Sequence, residues 1–405
     1  MKKIVLSALA ALTIGTVGAS ASDVKFYTDE NGQVFTTAAE GRTLLEAPKH
    51  KETPWYSHAD KLKFSTLAYI GLTHNDYKSD TLNMDYKHDE TNFEIRRGYF
   101  QVKAYMMDDP KSYYRITLDM HQNAEDDMVV RAKYAYLYLN EILPFTGVEF
   151  GLVHRPWHDY EEHNAWMYRD ISKVFTEAKN AGSLSNSADF GVNFKTKTKY
   201  FDSEIGVFNG EGYHSDFNDD NDDSSSTALS AEWRATAHLL GVNGKDKQTT
   251  KTYLDFSFFG QFNKDHKASA SGVAGEYDDL VFYGLHSVFN MPSFLLSGHY
   301  MDSKDTADKG TYISAQAGAG YSLNSEARFG NEKQYRAIAR YDSWTDKKLL
   351  GSDEREDTAY IIGGVWQQNK NLQWVANVIV TDNETGSDRE KYNGTAYMFT
   401  AQLEF

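Results

Sequence analysis

Residues 157–187 read WHDYEEHNAWMYRDISKVFTEAKNAGSLSNS and crowd ionisable groups into a short span. Asp159, Glu161, Glu162 and Arg169 lie there with His158 and His163, directly after His154 and Arg155. Carboxylates beside imidazoles could ligate a metal, move protons or set up an electric field. The spacing matches no zinc motif such as HExxH, in which two imidazoles share one helical face. A second acidic cluster, DFNDDNDDSSS from Asp216 to Ser226, has the composition of a calcium loop. It lacks the sixth-position glycine and twelfth-position glutamate that such a loop needs. It reads as an outer loop, with loose divalent bridging to lipopolysaccharide as an option. Hydrolytic chemistry finds no GxSxG elbow, and Cys 0 removes thiol catalysis and cysteine-ligated zinc. No cofactor, metal or catalysis is expected. The chemistry left is electrostatic. Asp159, Glu161 and Glu162 held opposite Arg115, Arg131 and Lys133 would set a transverse field across water and sort solutes by charge as well as size. Exchanging Glu161 and Glu162 for glutamine is then expected to favour anions.

Such a field needs a rigid wall, and the chain is patterned to supply one. In its last residues, GTAYMFTAQLEF, Tyr397, Phe399, Ala401, Leu403 and Phe405 alternate with Ala396, Met398, Thr400, Gln402 and Glu404. Period two makes one strand face apolar, here up to the last atom. A membrane barrel must end this way, because its last strand closes onto its first. From Leu62 onward about sixteen such segments recur, the even number a closed bacterial barrel requires. Their connections alternate short (MDDP, ILPF, TKTK, NMPS, NKN) and long. Short periplasmic turns against long outer loops is the barrel pattern. By count, 157–187 is in the third outer loop. General diffusion porins fold that loop inward, so the expectation is a lumenal constriction with a helix-compatible middle.

Faces follow from the same alternation. Tyr114, Ile116, Leu118 and Met120 oppose Arg115, Thr117 and Asp119; Leu229, Ala231 and Trp233 oppose Glu232 and Arg234; Tyr335, Ala337 and Ala339 oppose Arg336 and Arg340. In 128–142, Val130, Ala132, Tyr134, Tyr136 and Tyr138 are expected on the lipid face, opposite Arg131 and Lys133. An Arg or Lys on the lipid face near the midplane costs about 2–4 kcal/mol, so the charged faces are assigned to a wet lumen. A soluble sandwich would solvate those faces instead; the terminal strand and an export signal favour closure.

That signal is MKKIVLSALAALTIGTVGASAS. Lys2 and Lys3 precede an apolar core and an Ala19-Ser20-Ala21 cleavage site, so 1–21 is expected to be removed. Residues 22–60 read as a periplasmic extension, with a short hairpin around Asn31-Gly32. Residues 61–405 form the barrel. With net charge −16 the chain is no candidate for nucleic acid. Its surroundings would be outer-membrane lipid and lipopolysaccharide. No later run is long enough for a membrane helix, and abundant tyrosine suits aromatic girdles.

Several segments resemble the phosphate-selective porin O/P family and its porin-like relatives. They are FEIRRGYFQVKAYMMDDPKSYYRITLD (93–119), VEFGLVHRPW (148–157), EEHNAWMYRDISKVF (161–175), SADFGVNF (187–194) and GVFNGEG (206–212). The resemblance covers roughly 90–212 and implies a β-barrel, usually trimeric, with a lumenal arginine ladder. Arg96, Arg97 and Arg115 match its first rungs, with Arg131 and Arg155 as neighbours. The 161–175 segment is similar to the helix of the constriction loop. The acidic start of that loop departs from the family's lysine-rich pattern, which weakens phosphate specificity. The leading expectation is an outer-membrane porin passing small hydrophilic solutes and ions. The alternatives are an anion- or phosphate-selective channel, a structural or adhesive surface barrel, and a barrel enzyme.

Overall fold

The computed structural model describes residues 27–30, 33–44, 59–77, 89–106, 108–122, 127–178, 183–210, 212–213, 228–241, 248–268, 277–306, 317–346, 354–384 and 393–405. Two compact units divide between Ala59 and Asp60. In the first, Tyr27–Thr28 (β1) pairs antiparallel with Val34–Phe35 (β2), as the hairpin pattern predicts, and with Thr43–Leu44 (β3). The Asn31-Gly32 turn, the export signal and the acidic run 216–226 lie outside the described residues.

The second unit is a closed antiparallel sheet. Its strands are Leu62–Tyr77 (β4), Asp89–Tyr105 (β5), Tyr113–Gln122 (β6), Met128–Leu143 (β7), Thr146–His154 (β8), Ala188–Lys197 (β9), Phe201–Phe208 (β10) and Ser230–Leu240 (β11). They continue as Tyr253–Ala268 (β12), Tyr277–Met291 (β13), Phe294–Thr306 (β14), Gly318–Phe329 (β15), Tyr335–Asp346 (β16), Arg355–Asn369 (β17), Leu372–Asn383 (β18) and Gly394–Glu404 (β19). Neighbours in sequence pair, and β19 pairs with β4 to make sixteen strands without an edge. Closure runs to the last residue: Thr66 N–H donates to Phe405 O at 2.8 Å, and Phe405 N–H donates to Thr66 O at 3.0 Å. Hydrocarbon offers no partner to a free strand edge, which is why the apolar pattern cannot stop short of the terminus.

The outer face carries the aromatic stripe. Tyr397, Phe399, Phe256, Phe258 and Tyr335 are exposed on it, while Thr400, Asp255, Ser257 and Arg340 are buried on the other face. Charge is therefore confined to the lumen in β6, β11 and β16, and in β12 as far as Asn263, beyond which Lys264 is exposed.

Register shifts break that alternation in several strands, and two of them re-aim predicted basic residues. In β5 the register against β4 shifts between Tyr69↔Arg97 and Ile70↔Ile95, leaving Arg96 as the extra residue. Arg96 Nη1 lies 3.3 Å from Met398 Sδ on the lumenal face of β19, so consecutive arginines both point inward. In β7 the shift falls between Thr117↔Tyr134 and Leu118↔Ala132, and Lys133 is the extra residue. This overturns the face expected for Tyr134, Tyr136 and Tyr138. They stand opposite the lumenal Thr117, Arg115 and Tyr113, and Tyr134 and Tyr136 are buried. A bulge re-aims every side chain beyond it, and an unbroken period-two reading carries no mark of one. A smaller difference concerns β15, where the alternating pattern alone suggests a strand over 311–323. It spans Gly318–Phe329, fixed by pairs such as Phe294↔Ala327 and Tyr321↔Ser343.

Candidate functional site

The connection from β8 to β9 folds into the barrel. Pro156–Asn164 (α1) opens it. Proline suits the first helical position, where no N–H is needed and its φ is already helical. The helix stops at Asn164, where Ala165 N–H closes on Glu161 O at 3.0 Å. The helix expected in 161–175 is thus found a turn or more earlier. After it the chain runs through non-helical turns to a short 3₁₀ segment, Phe175–Glu177.

Contacts show how far the loop reaches. The Trp157 indole stacks on Phe259 of β12, centroids 3.8 Å apart and planes 7° from parallel. Tyr160 Oη donates to Asp255 of β12 at 2.9 Å, and Tyr168 Oη donates to Glu326 of β15 at 2.6 Å. Trp166, Tyr168, Ile171 and Val174 pack with Ile338, Ile361, Val365 and Val375 of β16 to β18. The guanidinium of Arg340 donates to Lys173 O at 2.8 Å. A loop anchored on β8 therefore covers the lumenal wall as far as β18.

The helix disperses its acids. At 100° per residue, Asp159 and Glu162 share a face, while Glu161 is turned 200° from Asp159. Asp159 lies 3.7 Å from His154 Nε2 and 3.8 Å from Lys195 Nζ. Burial opposes its charge, but His154, His163, Lys195 and Arg115 hold its carboxyl well below the ordinary range. Glu162 pairs with Arg169, which also binds Glu177 at 2.8 Å. Glu161 does not face Arg115, Arg131 and Lys133 as expected. It points to β14, with His299 Nδ1 at 3.4 Å, and is fully buried. Burial pushes this carboxyl up to about 8, against the pull of Arg340, so it is mainly neutral at pH 7. Burial likewise raises Asp170 to about 6, with Arg96 opposing.

Arg155 also sits elsewhere than on an open wall. It is 1% exposed and forks onto Glu232 of β11, with contacts of 2.6 and 2.9 Å, and Asp189 lies 3.5 Å away. It pins the root of the loop. His154 and His163 both flank Asp159, at 3.7 and 3.5 Å, and His154 also joins Arg115, while His158 turns away to Thr176 and Ser185. Among the described residues no group of three His, Asp or Glu is placed to hold a metal ion.

The other predicted basic residues converge on β5 to β7. Arg97 binds Asp119 Oδ2 at 2.5 Å, and Arg131 Nε is 3.6 Å from the same oxygen. Lys133 Nζ lies over the Tyr99 ring at 4.6 Å and the Tyr134 ring at 5.3 Å. Arg115 lies over Tyr134 at 4.6 Å and donates to Tyr136 Oη at 3.2 Å. The cation–tyrosine pairing went unforeseen because the bulge at Lys133 creates it.

No family model and no curated protein matches the chain. Solved structures do match its fold. An anion-selective porin from Comamonas acidovorans superposes with TM-score 0.61 at 13% identity, covering 85% of this chain and 99% of that one. The outer-membrane channel DcaP of Acinetobacter baumannii gives 0.58 at 11%, covering 85% and 97%. The trimer form of OmpT, an outer-membrane protein of Vibrio cholerae, gives 0.54 at 12%, covering 85% and 99%. The chain is a transmembrane β-barrel with the porin fold, of the kind found in outer membranes.

Proposed function

We propose that the protein is an outer-membrane porin, a water-filled channel through which small hydrophilic solutes and ions diffuse passively and without catalysis. One observation carries this reading. Where the loop faces β5 to β7, carboxylates lie beneath and cations above. The side chains of Asp119 and Glu177 are 0% and 1% exposed, whereas Arg97, Arg131 and Lys173 are 19%, 28% and 36% exposed. A barrel filled for strength alone would have no reason to leave cations wet on one side of its lumen.

The same layering favours anions over cations. Water in the gap meets ammonium and guanidinium groups whose counter-charges are buried, and such a fixed field selects by sign. Two acids are left near water, Asp159 at 30% and Glu94 of β5 at 31%; Lys195 and His154 flank the first and Arg96 the second. The Comamonas structure, described as anion-selective, is consistent with this preference. Phosphate would be one anion among several. Residues 22–60 would be a periplasmic extension after removal of 1–21. A trimer, the form in which the Vibrio structure was solved, would be the assembly, surrounded by lipid and lipopolysaccharide. Purified protein in a planar bilayer tests the proposal. Conductance steps with an anion-preferring reversal potential support it. Silence would leave a structural or adhesive barrel, and a cation-preferring potential would remove the anion reading.

A further inference from the structure

The lumenal face of β5 to β7 carries a pattern that ion passage alone does not require. Tyr105, Tyr113 and Tyr138 stand directly opposite one another across the three strands and form one rung. Tyr113 is central, its ring centroid 5.5 Å from that of Tyr105 and 5.1 Å from that of Tyr138. The next rung toward the loop holds Lys63, Lys103 and Arg115, again in register across β4, β5 and β6. Lys63 Nζ lies 5.1 Å from the Tyr105 centroid, and Lys103 Nζ lies 4.6 Å from that of Tyr113. The three tyrosines, Lys103 and Arg115 are partly exposed, and Lys63 is exposed. The carboxylate opposite Tyr138, Glu149, is buried and engaged by Lys195 at 3.3 Å and His154 at 3.6 Å. Gly147 leaves the Tyr138 ring its space, because a Cβ there would stand 2.5 Å from the Tyr138 hydroxyl.

We infer that these two rungs form a subsite for small organic anions carrying an aromatic ring, aryl carboxylates in particular. Rungs on one face of a strand are about 7 Å apart, twice the rise per residue. A solute ring on the tyrosine rung therefore places its carboxylate at the cationic rung. Tyrosine faces and edges attract a second aromatic ring, and the cations supply the counter-charge. A chloride ion uses only the upper rung, and a neutral sugar loses the charge contact. The subsite lies between the loop and the short-turn rim, so a solute meets it after the constriction. This inference rests on the porin reading.

The full chain in a planar bilayer under symmetric KCl, titrated with potassium benzoate, tests it. Cyclohexanecarboxylate and acetate are the controls, matching size and charge without a π face and charge alone. Benzoate is expected to interrupt the chloride current at about tenfold lower concentration than cyclohexanecarboxylate, the effect of a favourable aromatic contact. Tyr113→Leu with Tyr138→Leu should erase that difference while KCl conductance stays. Tyr113→Phe with Tyr138→Phe should keep it. If the leucine pair does not fold, Lys103→Gln replaces it and should weaken block by benzoate. Equal block by all three anions, or benzoate block that survives the leucine pair or Lys103→Gln, overturns the inference and leaves the porin intact. Absence of KCl conductance would instead remove the porin reading.

Discussion

The two halves of the lumen are built differently. Along β11 to β18 the wall is covered by the loop, and the interface resembles a protein core. Trp157 on Phe259 and Trp166 among Ile338, Ile361 and Val365 are almost wholly buried. Even the carboxyl of Glu161 is accommodated there as a neutral group. Along β4 to β8 the wall carries cations laid over tyrosines, with Asp119 and Glu149 buried beneath and Glu94 paired with Arg96. One half anchors the loop; in the proposed porin the other faces solute. The difference teaches that the loop's acids do less for permeation than their number suggests, because the fold spends them on docking and on counter-charge.

The largest effect should come from breaking the anchored half. Trp157→Ala removes a buried aromatic, worth about 3–5 kcal/mol in a core. The barrel strands do not depend on that contact, so the loss should fall on the loop. Single-channel recordings should show a larger, noisier conductance with barrel content unchanged by circular dichroism.

Next in size is the solute half. A unit charge about 7 Å from the path is worth about 0.6–2.4 kcal/mol at an effective dielectric between water and protein. Arg97→Gln with Arg131→Gln should therefore cut the anion-to-cation permeability ratio by roughly threefold or more, read from the reversal potential in a KCl gradient. Unchanged selectivity would show that the passage runs elsewhere.

The third effect is a pH dependence confined to the anchored half. Glu161 has a folded value of about 8, above the ordinary carboxyl value of 4.5. A raised acid pKa means that the docked loop prefers the protonated form. Docking is then strongest below about 4.5, weakens as pH rises toward 8, and bears the full cost of a buried charge above that, at about 1.4 kcal/mol per unit. Open-channel noise should rise between about pH 5 and 8 in the native protein, level off above that, and stay flat in Glu161→Gln.

The smallest effect is expected from Glu162→Gln. Arg169 keeps Glu177 at 2.8 Å, so one lost partner should move selectivity only slightly toward anions. A shift as large as that of the arginine pair would place Glu162, and not the wall, in control.

The strands and their closure were legible because lipid enforces a simple rule. Every outward residue from Tyr397 to Phe405 must be apolar and every ladder must close, so period two survives in the sequence. The inward loop was legible from its length and order. What escaped is set by contacts that no local period reports. The extra residues Arg96 and Lys133 look like ordinary members of an alternating run, and only pairing to β4 and β6 reveals them. The three tyrosines of β7 were assigned to lipid for that reason. Glu161 was grouped with Asp159 and Glu162 by proximity in sequence, although helical geometry separates them. Arg155 was read as a neighbour of the arginine ladder by resemblance, yet Pro156 starts a helix and leaves it facing Glu232.

The central claim is that a water-filled, cation-lined passage remains beside the docked loop. Single-channel conductance with a reversal potential across a tenfold KCl gradient tests it most directly. The account predicts discrete open steps and a zero-current potential on the anion side. A silent protein, or open channels whose potential lies on the cation side, would contradict it.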